Sequence, residues 1–142
     1  MSRNRWALIV AILAVLAAVT LGFWSLGSPR RERQIRQDLR TVQALERLAE
    51  QINHLWNESD NVLPRNLEQI PINVKQDPTT HAPLVYHPGS ASQYQLCATF
   101  LSDDRDTAPQ SDATFWLHPS GTYCFQLDAS VNVPAAPYFY DY

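Results

Sequence analysis

The chain has 142 residues, 45% of them hydrophobic and 18% charged, and carries a formal net charge of −3 at pH 7. This length leaves room for one modest domain with appendages. The negative net charge, together with a basic cluster that lies next to an apolar segment, argues against nucleic-acid binding.

The first predicted element is a membrane-spanning helix at residues 6–24. These 19 residues contain no charged side chain, and as a helix they would span roughly 28 Å, close to the thickness of a bilayer's hydrocarbon core. Trp6 and Trp24 bracket the segment, as aromatic rings do at membrane interfaces. The alternative is a cleaved signal peptide, but the segment is long for one and SLGSPRR offers a poor cleavage site. We therefore expect an uncleaved anchor that contacts the lipid bilayer through residues 6–24.

The arginines around this helix leave its orientation uncertain. A count of short-loop charges favours a cytoplasmic domain, yet a following domain of about 118 residues is long enough to be translocated largely regardless of charge. The arginines are Arg3 and Arg5 before the helix, and Arg30, Arg31, Arg33, Arg36 and Arg40 after it.

A long amphipathic helix is predicted from Ser28, a candidate N-cap, and Pro29, which suits the first helical position. Its apolar stripe comprises Ile35, Leu39, Val42, Leu45, Leu48, Ala49, Ile52, Leu55 and Trp56. We expect this stripe to cover the downstream strands, since three heptads would be marginal for a coiled coil. The residues expected on a solvated face are Arg31, Glu32, Arg33, Arg36, Asp38, Arg40, Glu46, Arg47 and Glu50. Asn61 is expected to end the helix.

Strands are predicted downstream of a short helix that begins at Pro64 and ends at Pro71. An edge strand with the sequence LVYH lies between two prolines, a turn follows, and residues 93–100 return as a central strand. In FWLHPSGTYCF, a turn at residues 119–121 separates the segments of a further strand pair.

The two cysteines lie in two of these strands. In QYQLCATF and TYCFQL, alternate residues form an aromatic face, and Cys97 and Cys124 fall on the opposite, more polar face. If the strands pair antiparallel over one core, the cysteines emerge on the same side within reach of a disulfide. The alternatives are a reactive thiol, or half of a metal site with His81, His87 or His118, but no CxxC or HxxxH spacing supports zinc. The disulfide is favoured and implies an oxidising compartment outside the cytoplasm.

An aspartate-rich loop separates the two cysteine strands. It contributes four weak calcium candidates: Asp103, Asp104, Asp106 and Asp112. The run lacks the glycine and the terminal glutamate of an EF-hand loop, so a solvated loop without metal is favoured. His81 and His87 are likewise expected to be exposed, and His118 has no obvious acidic partner.

The order of the elements and two short motifs resemble the major pseudopilin of type II secretion systems and related pilin-like proteins. The first motif, V-L-P-x-x-L-x-x-I, comprises Val62, Leu63, Pro64, Leu67 and Ile70. The second, D-P-x-T-x-x-P-x-x-Y, comprises Asp77, Pro78, Thr80, Pro83 and Tyr86. The resemblance covers roughly residues 6–100. It implies a helix packed on an antiparallel sheet, anchored in the bacterial inner membrane with the domain in the periplasm.

The sequence departs from that family in its N-terminal region. Pilin-like proteins are processed at a glycine followed by an aromatic residue or methionine, and a glutamate a few residues on registers subunits in the filament. No acidic residue precedes Glu32 in this sequence. Neither the processing site nor the registering carboxylate is therefore expected.

The segment NVPAAPYFYDY concentrates aromatic rings behind Pro134 and Pro137, which discourage regular structure. Its candidate partner-binding residues are Tyr138, Phe139, Tyr140 and Tyr142. Two interpretations stay open: the tail folds back on its own domain, or it docks into a partner as an extended peptide.

Together these patterns predict an α+β fold: an N-terminal transmembrane helix, then a long amphipathic helix packed on a small antiparallel β-sheet. The expected segments are a membrane anchor at residues 1–27, a pseudopilin-like domain at 28–133 and an aromatic tail at 134–142. We expect a single-pass, non-catalytic protein that contacts other membrane or periplasmic proteins in a secretion, pilus-like or other envelope assembly. No cofactor, small-molecule substrate or nucleic acid is expected. The alternative is a periplasmic metal-binding or enzymatic domain that uses His and Cys side chains or the aspartate-rich loop.

Overall fold

The computed structural model describes residues 3–25, 29–73, 75–105 and 113–137. Its main elements are helices α1 (Arg3–Ser25) and α2 (Pro29–Glu58) and strands β1 (Val85–Pro88), β2 (Gln93–Phe100) and β3 (Gly121–Asp128). Short 3-10 helices lie at Leu67–Gln69 and Ala113–Trp116. The predicted α+β combination of two long helices with a small antiparallel sheet is confirmed. The chain divides into two compact units, residues 1–32 and 33–142.

Helix α1 is long and apolar enough to span a membrane. Its residues 5–22 have a mean hydropathy of 2.2, and none of this segment is buried inside the protein. A helix that is apolar on every side favours a lipid surrounding, because in water its whole apolar surface would stay exposed. Length and composition thus support the predicted membrane anchor.

Helix α2 buries the part of the predicted apolar stripe from Val42 onward against the sheet, whereas Ile35 and Leu39 are half-buried outside the core cluster. Val42, Leu45, Leu48, Ala49 and Ile52 are at most 2% exposed, and they belong to one core cluster with residues from all three strands. Burying a large aliphatic side chain contributes roughly 1.5–3 kcal/mol. The stripe, more than intrinsic helix propensity, therefore holds α2 in place. The predicted packing of the helix on its own sheet is confirmed.

Helix α2 ends at Glu58, close to the predicted stop at Asn61. Asp60 and Asn61 have left-handed backbones, with φ of 52° and 63°, and the Asn61 N–H donates to the carbonyl of Trp56 (3.1 Å). Asparagine and aspartate tolerate this conformation, which is common just past a helix C-terminus. The predicted N-cap at the other end, Ser28, lies outside the described residues.

The next helix is shorter than predicted and begins later. It is a single 3-10 turn, Leu67–Gln69, in which the side chain of Asn66 accepts the Gln69 N–H (3.3 Å). Pro64, the predicted first residue, is buried outside the helix, and its carbonyl accepts the hydroxyl of Tyr86 (2.8 Å). A helix that began at Pro64 would need this carbonyl for its own first turn.

The sheet has the strand order β1-β2-β3, and both strand pairs are antiparallel. β1 is the predicted edge strand, and its last residue, Pro88, pairs with Tyr94. The chain reverses at residues 89–92 as predicted, where the Gly89 N–H donates to the Gln93 carbonyl (2.9 Å). β2 coincides with the predicted central strand at residues 93–100.

The segment before β3 is not a strand, so the further strand pair predicted there is wrong. Ala113–Trp116 is a 3-10 helix whose rings pack on Phe125 of β3, at centroid distances of 5.8 Å for Phe115 and 4.9 Å for Trp116. The Trp116 indole N–H donates to the carbonyl of Pro134 (2.8 Å). In a strand, neighbouring side chains point to opposite faces, whereas this turn lets both rings cover the core.

Candidate functional site

Cys97 and Cys124 face each other directly across the β2–β3 pair, as the strand pattern predicts. Their Cα atoms are 4.0 Å apart, and their sulfurs lie at disulfide-bonding distance. Cys97 is only 3% exposed although it lies on the more polar face of the sheet, because it sits in the central strand between β1 and β3. Cysteines joined in this way offer neither a thiolate nucleophile nor a metal ligand.

Two acidic residues expected on the solvated face of α2 are buried instead, and Asp38 is the first. It is 3% exposed and accepts hydrogen bonds from the Leu101 N–H (2.8 Å), the Ser102 N–H (2.7 Å) and the Ser102 hydroxyl (2.6 Å). The chain leaves the sheet at this point, so its backbone donors need a partner outside the strand ladder. The carboxylate of α2 supplies that partner through charge-assisted hydrogen bonds.

Glu46 is the second buried acid, and it binds the segment that follows β3. It is 8% exposed, and its Oε1 accepts the Ala136 N–H (2.8 Å). One heptad further along α2, the side-chain amide of Asn53 donates to the Val131 carbonyl (2.8 Å). Residues 131–136 therefore run antiparallel along one flank of α2, and the first part of the predicted tail folds back on its own domain. The aromatic candidates lie outside the described residues: Tyr138, Phe139, Tyr140 and Tyr142.

Asp77 organises the loop before β1 and ties it to α2. It is 3% exposed; one carboxylate oxygen accepts the N–H groups of Thr79 and Thr80 (2.7 Å each), and the other accepts the hydroxyl of Thr41. Burial alone would raise the pKa of this carboxyl, but the hydrogen bonds from Thr41, Thr80 and Thr79 outweigh it and hold the pKa of Asp77 below its ordinary value. The first residue of the D-P-x-T motif is thus a structural anchor.

The predicted ligand candidates that the structure describes do not gather at one site. His81 and His87 are exposed, as expected. Asp103 forms an ion pair with Arg105 (2.6 Å), and the hydrogen bond from the Arg105 side chain lowers the pKa of Asp103. Within the described ranges, no three His, Cys, Asp or Glu side chains form a group that could hold a metal ion. Two of the calcium candidates lie outside these ranges: Asp106 and Asp112.

His118 has an acidic partner, contrary to the prediction. Its ring is 2% exposed and stacks on Phe100, with centroids 3.7 Å apart. The Nε2 atom lies 3.5 Å from one carboxylate oxygen of Asp104, and the other oxygen accepts the His118 backbone N–H (2.7 Å). These contacts fasten the two sides of the aspartate-rich loop over the aromatic core. A ring enclosed in this way contributes to packing and is not open to a ligand.

A groove of about 250 Å³ opens beside the C-terminal half of β3. Its mostly apolar lining includes Phe115, Leu127, Val131 and Val133. Asp128, another lining residue, accepts hydrogen bonds from the Ser130 hydroxyl (2.6 Å) and N–H (2.9 Å). Hydrogen bonds from the side chains of Ser130 and Ser92 hold the pKa of Asp128 below its ordinary value. The groove can accept an apolar group. The Asp128 carboxylate already accepts hydrogen bonds from Ser130, in the loop that follows β3.

The sequence patterns did not identify the buried polar residues of α2, Asp38 and Thr41, although the sequence contains one signal for them. Asp38 and Thr41 fall at three-residue spacing between Ile35 and Leu45, on the apolar face of the helix. A polar side chain at a core-facing position needs a hydrogen-bond partner there. That rule points to Asp38 and Thr41, but it leaves the partner unnamed.

The described elements define a class: a helix of membrane-spanning length and composition, followed by an α+β domain. In this domain, buried carboxylates of the long helix accept hydrogen bonds from the backbone of other segments. No family model matches the sequence, and no curated protein or solved structure is detectably similar to it. The resemblance to pseudopilins therefore rests on the element order and the two short motifs alone.

Proposed function

We propose that this protein is a single-pass, non-catalytic component of a bacterial envelope assembly, anchored in the inner membrane with its C-terminal domain in the periplasm. The observation that carries the proposal is the element order: a membrane-length apolar helix, then an amphipathic helix packed on an antiparallel sheet. Pseudopilins share this order. The domain accordingly binds other membrane or periplasmic proteins of a secretion or pilus-like system.

The cysteine pair supports the periplasmic side. A bond between Cys97 and Cys124 closes a loop with a sequence separation of 27. In the chain-entropy treatment, such a loop closure stabilises a fold by roughly 3–4 kcal/mol, which is a large contribution for a small domain. Disulfides of this kind persist in oxidising compartments and are rare in the cytosol.

A non-catalytic role is supported by how the chemically reactive side chains are used. The two cysteines face each other, and His118 is enclosed against Phe100. The carboxylates of Asp38 and Asp77 accept hydrogen bonds from backbone groups that would otherwise be unpaired. Each of these groups stabilises the fold, and none is presented to a substrate in a cleft.

An accessory role is favoured over that of a filament subunit. In pilin-like proteins an N-terminal glutamate registers each subunit against its neighbour, and in this sequence no acidic residue precedes Glu32. The anchor can hold the domain at the membrane without that carboxylate. The protein would then be joined to the assembly by contacts of its domain, and not by packing of its N-terminal helix into the core of a filament.

A reporter fusion tests the proposed topology. An enzyme that is active only in the periplasm, fused after Tyr142, should be active in bacterial cells. The matched control lacks residues 3–25 and should be inactive, because it has lost the apolar helix that we propose directs export. Activity of a cytoplasm-only reporter at the same position would overturn the periplasmic placement, and with it the compartment argument for the disulfide.

Photo-crosslinking tests the interaction role. A photoreactive residue is placed at Val62 or at Tyr123, whose side chains are 61% and 37% exposed, in the full chain in native membranes. Crosslinks to other membrane or periplasmic proteins are expected from at least one position. Crosslinks only to lipid, at both positions, would contradict the proposed role.

A further inference from the structure

Three arginines form a stripe along the exposed face of α2, and we call them the arginine stripe. Arg33, Arg40 and Arg47 follow one another at heptad spacing, so they lie at nearly the same angle around the helix. At about 100° per residue, this angle is roughly 120–160° from that of Leu45, which is fully buried in the core. All three side chains are exposed, and the arginine stripe is about 21 Å long at the helical rise.

The exposed surface of this part of α2 is positively charged. Over residues 30–50, all of which the structure describes, six arginines but only two glutamates are exposed. The other two acids of that range, Asp38 and Glu46, are buried and accept N–H groups of other segments. Within the described part of the chain, no ion pair involves the arginine stripe. A row of cations that the fold does not neutralise attracts an anionic partner.

The rest of the domain has the opposite charge. Residues 51–142 contain three basic and ten acidic side chains, a formal charge of −7. An anionic surface therefore attracts the outer face of α2 and repels most of the charge in the remainder. This asymmetry favours an orientation in which the arginine stripe faces such a surface.

The chain itself brings one anionic surface close to the start of α2. Helix α1 ends at Ser25 and α2 begins at Pro29, so at most about 14 Å of extended chain separates these residues. Helix α1 is apolar enough to span a bilayer, and a spanning helix ends at the lipid headgroups. Among anionic partners, phospholipids are therefore the ones that the sequence places next to α2.

We propose that the arginine stripe binds the phosphate groups of anionic phospholipids, so that the outer face of α2 lies on the bilayer that α1 crosses. A guanidinium group donates two parallel hydrogen bonds to the oxygens of one phosphate, which suits arginine to this contact. The inference rests on the membrane anchor of the proposed function. It does not depend on which side of the membrane holds the domain, nor on any protein partner.

Fluorescence quenching of the full chain in lipid nanodiscs tests the proposal. A fluorescent non-natural amino acid replaces Gln43, which lies between Arg40 and Arg47 in α2, and a fraction of the lipid headgroups carries a quencher. Phosphatidylglycerol in the discs should shift the equilibrium toward the quenched state by at least about fivefold relative to phosphatidylcholine alone, since one arginine near an anionic surface contributes about that factor. High salt should remove the difference.

Matched variants separate the arginine stripe from the net charge of the protein. The arginine-stripe variant, which should lose the response to phosphatidylglycerol, combines Arg33→Gln, Arg40→Gln and Arg47→Gln. The control variant, which should keep the response, removes the same charge from the rest of the domain through Arg65→Gln, Lys75→Gln and Arg105→Gln. An equal loss in both variants, or no response in the natural protein, would overturn the proposal. If the arginine-stripe variant does not fold, Arg40→Gln and Arg65→Gln make the same comparison singly.

Extraction of membranes with alkaline carbonate tests the anchor separately. If the full chain stays in the membrane but does not respond to phosphatidylglycerol, the role of the arginine stripe is wrong and the anchor stands. If carbonate removes the chain from the membrane, the anchor of the proposed function is wrong, and this inference is wrong with it.

Discussion

The hydroxyl of Thr41 donates to the carboxylate of Asp77 and so joins the middle of α2 to the loop before β1, across 36 residues of sequence. Both residues are nearly inaccessible to water, at 2% and 3% exposure. The loss of either partner would leave a buried polar group without its hydrogen bond, which is more costly than the bond itself is favourable. This hydrogen bond holds the loop against α2.

We expect Asp77→Asn to lower the free energy of unfolding by about 1–3 kcal/mol. The amide keeps one acceptor for the backbone N–H groups of the loop but loses the negative charge that strengthens all of these hydrogen bonds. Urea denaturation of the full chain in detergent measures the effect. Thr41→Val removes the hydroxyl alone, and its effect should be less than additive with Asp77→Asn. Strict additivity would show that the two side chains do not interact.

The pKa of Asp77 predicts a specific dependence of stability on pH. Folding lowers this pKa, so the carboxylate contributes stability that is fully present above the unfolded value of about 3.9 and is lost as pH falls through the lower folded value. The stability of the natural protein should therefore fall more steeply below about pH 4 than that of Asp77→Asn. Urea midpoints collected down to the acid limb make the comparison. Parallel curves for the two proteins would contradict the prediction.

Tyr86 predicts the opposite behaviour in alkali. Burial raises the pKa of Tyr86 to about 12, above the unfolded value of about 10, so its contribution is fully present below pH 10 and is lost as pH rises through 12. Tyr86→Phe should cost about 1 kcal/mol at neutral pH through loss of the hydrogen bond to Pro64, yet reduce the loss of stability in alkali. Denaturation midpoints between neutral and alkaline pH measure both effects. Tyr123→Phe, at an exposed ring, is the control. If Tyr86→Phe leaves the dependence of stability on alkaline pH unchanged, ionisation of Tyr86 does not cause the loss of stability.

Cys97→Ser should lower the free energy of unfolding by about 3–4 kcal/mol under oxidising conditions and change it little in reductant. Only the oxidised natural protein has the cross-link that restricts its unfolded chain. Mass spectrometry before and after reduction, together with urea midpoints in both conditions, tests this expectation. Free thiols in protein purified from an oxidising compartment would count against it.

Asp38→Ala should lower the free energy of unfolding by about 2–4 kcal/mol, because it leaves the buried donors of Leu101 and Ser102 without a partner. Glu50→Ala removes an exposed carboxylate from the same helix and should stay within about 0.5 kcal/mol of the natural protein. Urea denaturation distinguishes the two. Equal effects at both positions would mean that the contacts of Asp38 add nothing beyond a surface charge.

Elements with a strong local pattern could be predicted from the sequence. The apolar stripe from Val42 to Ile52 predicts both α2 and its buried face, and the alternation around Cys97 predicts β2 and which of its residues face the core. The segment Ala113–Trp116 shows where this approach fails. Its aromatic residues suit a strand, but a 3-10 turn lets Phe115 and Trp116 cover Phe125 together, and that advantage exists only once β3 is in place.

The sequence by itself determined the membrane-length helix, the amphipathic helix, the central strand and the face of its strand on which each cysteine lies, because each depends on a periodicity within a few turns or a few strand residues. Only the tertiary structure decided which polar side chains are solvated. Asp38 and Glu46 look like surface charges on a helix, and His118 looks like a turn residue, until distant segments bring backbone donors or a carboxylate to them. Burial of a polar group depends on the partner it meets, and for these residues the partner lies 14 to 90 positions away.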